Sequence, residues 1–91
     1  MSRRRMSPEQ ERDRRVRLAV FLRGKREEIA RKQRGNKVLI RALAAHEDAD
    51  WQTQLRLVSH LRDNLNAIRH AEYDIMNVLS MAEMTEEEVL T

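Results

Sequence analysis

RKQRGNKVLIR, residues 31–41, holds the two clearest break signals of this 91-residue chain, Gly35 and Asn36, and five of its eleven residues are cationic. Glycine is common just past a helix end because it enters the left-handed region without a Cβ clash, and asparagine tolerates that region better than most side chains. The stretch therefore reads as a corner. A basic helix stops at Arg34, and a short, nearly all-apolar helix over 37–46, with Arg41 as its interior charge, starts beyond it. A helix apolar on so many sides is expected to be buried.

Upstream of the corner, SPEQ is a helix start: Ser7 caps, Pro8 suits the first helical position, and Gln10 stands three residues after the cap. Residues 1–6, with Arg3, Arg4 and Arg5, read as a disordered basic arm. The first helix is expected over 8–34. Glu11–Arg15, Asp13–Arg17, Glu27–Arg31 and Glu28–Lys32 are acid-first pairs four apart, the favourable order on a helix face. Leu18, Phe21, Leu22 and Ile29 form one apolar stripe, while Val16 and Val20 point elsewhere. A helix apolar on two sides has two neighbours, and in a short chain the second is expected to be a partner subunit.

Downstream, residues 47–50 (EDAD) read as a short break with Asp48 or Asp50 capping the next helix. Over 50–82 the apolar spacing is regular. Leu57, Leu61, Asn64, Ile68, Ala71, Ile75, Val78 and Ala82 alternate by four and three, Val58, Leu65 and Leu79 widen the stripe, and Trp51 begins it. That is coiled-coil spacing. Asn64 either fixes register at the seam or faces solvent at a helix crossing. The acidic tail, 85–91, has Thr85 three before Glu88, a capping-box match, and is expected either to fray or to form a short helix.

The fold class that follows is all-α: a small bundle of two long helices and one short helix, dimerising through the C-terminal heptad helix. Val16, Val20, Leu57, Leu61, Asn64, Ile68, Ile75 and Val78 are the candidate dimer or partner interface. Strand-forming residues are too sparse and too poorly alternated for a sheet.

Composition argues against most enzymes. There is no cysteine, and two glycines cannot build a phosphate-cradling loop. Ser2, Ser7, Ser59 and Ser80 sit in no strand–turn–helix elbow, and no two carboxylates pair on an apolar face. His70 and Asp74 share a helix face, but His60 and His46 do not join them, so no metal and no cofactor are expected. No apolar run approaches the roughly 18 residues of a membrane span, and no apolar signal core follows the basic start. The expected location is cytoplasmic, or nuclear in a cell with a nucleus.

Charge is the informative feature. Residues 1–45 carry fifteen Lys and Arg against five acids, whereas 46–91 carry three Arg against ten acids. Setting aside Arg15, Arg17, Arg31 and Lys32 as helix-paired leaves Arg3, Arg4, Arg5, Arg12, Arg14, Arg23, Lys25, Arg26, Arg34, Lys37 and Arg41 as candidate nucleic-acid contacts. Arg outnumbers Lys in this half, and guanidinium forks suit phosphate recognition. Phe21 is its one aromatic residue, so base stacking is not expected and duplex backbone is the better target. The helix-turn-helix pattern does not fit. Gly35 follows Ala30 by five residues rather than four, Gln33 is polar where an apolar residue belongs, and 37–46 offers base edges little beyond Lys37 and Arg41. The alternative is a protein-interaction module, an adaptor or inhibitor docking on a larger protein through its apolar and charged helix faces. In a third reading the acidic half neutralises the basic half within the assembly.

Overall fold

The Ser7 hydroxyl accepts from the Gln10 backbone N–H at 3.2 Å, and the Gln10 side-chain oxygen accepts from the Ser7 N–H at 3.0 Å. This reciprocal box, with Pro8 in the first turn, starts a helix that runs much further than the break signals imply. The structure is a computed structural model describing residues 6–91. In it α1 spans Pro8–Ala45, α2 spans Trp51–Ala82 and α3 spans Glu86–Leu90. The chain is all-α, and among the described residues no helix is long and apolar enough to cross a membrane.

The corner expected at residue 35 is absent. Gly35 keeps a helical backbone, and the one positive φ among the described residues belongs to Glu83. Continuity wins because the buried residues of α1 are Leu22, Ile29 and Asn36, seven apart, with half-buried Leu43 continuing the row. A seven-residue row stays on one face only if the helix is unbroken. A glycine inside a helix costs about 1 kcal/mol relative to alanine, less than the loss of the packing beyond it. Residues 37–46 are therefore neither a separate helix nor buried: Val38 and Ile40 are 63% and 54% exposed.

The chain reverses at residues 46–50. The His46 N–H closes α1 on the Ala42 carbonyl, and the Asp50 carboxylate caps α2 by accepting from the Thr53 N–H at 2.7 Å. That hydrogen bond holds the Asp50 carboxyl below its usual pKa. Gln54 ties the turn by donating to the Glu47 carbonyl at 2.8 Å. Of the two caps the sequence allowed, Asp50 is the one used.

α2 returns antiparallel along α1. Its buried residues, Ile68, Ala71, Ile75 and Ala82, lie on the predicted heptad stripe. The stripe is turned onto α1, so Ile68 and Ile75 join Leu22 and Ile29 in the core, while Leu57, Leu61, Asn64 and Val78 are half-buried. These residues do not form a free dimer seam. Once α1 continues past Gly35 it is long enough to cover most of the stripe within one chain.

The tail is a short helix. Thr85 and Glu88 form the reciprocal box, and Val89 is 4% exposed within the core cluster. Burying Leu22, Ile29, Ile68, Ile75 and Val89 contributes roughly 1.5–3 kcal/mol each.

Candidate nucleic-acid interface

α1 carries every candidate cation that lies within the described residues, and the structure divides them into two groups. Arg3, Arg4 and Arg5 lie outside the described residues.

Three of the candidates are structural. The Arg14 Nη2 donates to the Ala82 carbonyl at 3.1 Å, placing a cation on the carbonyl-rich end of α2. The Lys25 ammonium lies 3.1 Å from Asp74 and 3.7 Å from Glu28, and 5.7 Å from the Phe21 ring centroid. Its hydrogen bond to Asp74 raises its pKa. The Arg26 Nε and Nη2 meet the two carboxylate oxygens of Glu86 at 2.8 and 2.7 Å, a fork-to-fork pair that joins α3 to α1. That hydrogen bonding pushes the Glu86 carboxyl below its usual pKa. Partners 49 to 68 residues away along the chain engage these three cations.

The second group holds the other five candidates. Among the described residues Arg12, Arg23, Arg34, Lys37 and Arg41 are exposed and form no ion pair. The expected pairs of Arg15, Arg17, Arg31 and Lys32 with acids four residues earlier do not form either, and Glu28 turns to Lys25 instead. Such exposed pairs contribute only about 0.3–0.5 kcal/mol, too little to hold two long side chains together against their entropy.

Arg12, Arg23 and Arg34 are eleven residues apart. Eleven residues make three helical turns to within about 20°, so the three stand in line on one flank of α1. Lys37 and Arg41 continue the row, which spans about 43 Å at 1.5 Å per residue. On the same flank Ala30, Gln33, Arg34, Lys37, Leu65 and Ile68 line a groove of about 620 Å³ between the two long helices, with Asn36 at its floor. Phe21 is half-buried against the core and offers no stacking surface.

Val16 and Val20 are 57% and 64% exposed on α1. Asp74, one half of the weak metal pattern, is engaged by Lys25. No protein-family model matches the chain, and neither a curated protein nor a solved structure is significantly similar to it.

Proposed function

We propose that this protein is a non-enzymatic helical hairpin that binds the phosphates of duplex nucleic acid along the Arg12–Arg23–Arg34–Lys37–Arg41 flank of α1, and that it acts as a dimer joined through α2. The observation that carries the reading is that row of exposed guanidinium and ammonium groups without carboxylate partners. Intramolecular neutralisation accounts for Lys25 and Arg26 and leaves the row untouched. Backbone binding needs exposed cations and no base-edge chemistry, and the unpaired row supports that reading.

Five phosphate contacts give a slope of log affinity against log salt of roughly −4 to −5. Fluorescence anisotropy with a labelled duplex over a salt series measures it. The variant R12A/R23A/R34A/R41A is expected to lower affinity at least a hundredfold at low salt and to flatten the slope by three to four. Duplex affinity that is absent at low salt, or that is unchanged in this variant, overturns the reading.

The exposed apolar residues of α2, Trp51, Leu55, Val58 and Leu65, favour a second reading. A protein-interaction module would use that face, and its partner would be recovered in stoichiometric amount after nuclease treatment.

A further inference from the structure

Besides the stripe turned onto α1, α2 carries a second apolar row. Trp51, Leu55, Val58, Leu65 and Met76 are exposed, Trp51 by 69% and Leu65 by 53%. Together with Arg62, Arg69 and Glu72 they occupy positions that alternate by four and three, the spacing of a coiled-coil seam. Leu65 opens into the groove beside Ala30 and Lys37, and Met76 shares a neighbouring hollow with Arg69, Glu72 and Tyr73. The other flank is polar, with Glu28, Arg31, Lys32 and Asn64 around its hollow.

The hairpin exposes more surface than a chain of its mass should. Its accessible surface is 7717 Å², against roughly 5,500 Å² for a folded monomer of this mass. Counting the five undescribed residues as wholly exposed removes only about 1,000 Å² of that excess. The radius of gyration is 19.2 Å, where about 12 Å is usual for this length. The smallest extent is 14 Å, little more than one helix with its side chains. Covering the α2 row at about 800 Å² per chain, the size of a standard interface, fits within the excess.

We propose that a second copy of this chain covers the row, α2 against α2 in antiparallel orientation. The charges favour a copy over an unlike partner. The row carries both signs, and the antiparallel register that sets Arg62 of one copy opposite Glu72 of the other also sets Val58 opposite Met76 and lays the aliphatic stem of Arg69 across from Leu65. The inference rests on the reading of α2 as the dimerising helix, and it replaces the seam read from the sequence with the row the fold leaves open. It does not require phosphate binding, though Leu65 shares its groove with Arg34 and Lys37, two of the proposed phosphate contacts.

Sedimentation equilibrium of the full chain, with helicity followed by circular dichroism, tests it. The wild type is expected at twice 10.8 kDa. V58E/L65E is expected to weaken the dimer at least tenfold, and V20E, on α1, to leave it intact. Arg62→Glu alone is expected to weaken it, and R62E/E72R to restore it, so a charge swap carries the test even if the double apolar variant loses helicity. A wild type that stays monomeric, a dimer indifferent to V58E/L65E, or a swap that fails to restore mass overturns the proposal. Duplex affinity measured on the wild type is a separate readout: a wild type that is monomeric yet binds duplex sinks the dimer and spares the phosphate flank.

Discussion

Asn64 of α2 closes against Gly35 of α1, its Nδ2 standing 3.4 Å from where a Cβ on Gly35 would be. The residue that looked like a helix stop is a point of close approach between two continuous helices. It makes room for a polar side chain in the middle of the hairpin, where Asn36 also lies.

Both glycines are then helix-interior residues whose replacement by alanine should stabilise the fold. A Cβ on Gly24 meets nothing within 4 Å, so Gly24→Ala is expected to gain close to 1 kcal/mol. That is a rise in Tm of about 4–8 °C for a domain of this size. Gly35→Ala is expected to gain less, because the Asn64 amide must give way. Thermal melts of the two variants rank them, and a lower Tm for Gly24→Ala would mean that something outside this fold closes on that face.

Asn36 is 8% exposed, and its Oδ1 is buried with no hydrogen-bond donor. An unsatisfied buried acceptor costs about 1–3 kcal/mol. Asn36→Leu should remove that cost and continue the Leu22, Ile29 row, raising stability by about 1 kcal/mol or more in urea denaturation. If stability falls, the carboxamide has a partner that the hairpin alone does not display.

Arg14 and Arg23 should separate stability from binding. Arg14→Ala removes a half-buried, charge-assisted bond to the end of α2 and is expected to cost about 1–2 kcal/mol, with duplex affinity changing little. Arg23→Ala should leave the melting curve in place and weaken duplex binding severalfold. Parallel melts and anisotropy titrations of the two variants decide this.

The contact between α3 and α1 should be acid-labile. Arg26 lowers the folded-state pKa of Glu86, so the pair stabilises the docked tail at pH values above the unfolded carboxylate value, about 4.3. That contribution fades as the pH falls towards the depressed folded value and is absent below it. Protection of the Val89 and Leu90 amides, taken relative to the intrinsic exchange rate at each pH, should therefore fall below about pH 4.3 before the long helices melt. Glu86→Gln is expected to show faster exchange already at neutral pH and to lose the acid step.

The elements set by local chemistry were legible in the sequence. Ser7, Pro8 and Gln10 started α1, the break at 46–50 with its Asp cap separated the long helices, and Thr85 with Glu88 allowed the last short turn. Each signal acts between residues within one helical turn, so no distant partner was needed to read it. The heptad stripe of α2 was legible for the same reason, though not what would cover it. Three features required the tertiary structure: the passage of α1 through Gly35, the engagement of Arg14, Lys25 and Arg26, and the turning of Ile68 and Ile75 onto α1 rather than a second chain. All of them depend on the register between helices whose contacting residues lie about thirty to seventy positions apart. A glycine ends a helix or continues it according to whether the residues beyond have something to pack on, and only the returning α2 supplies that surface.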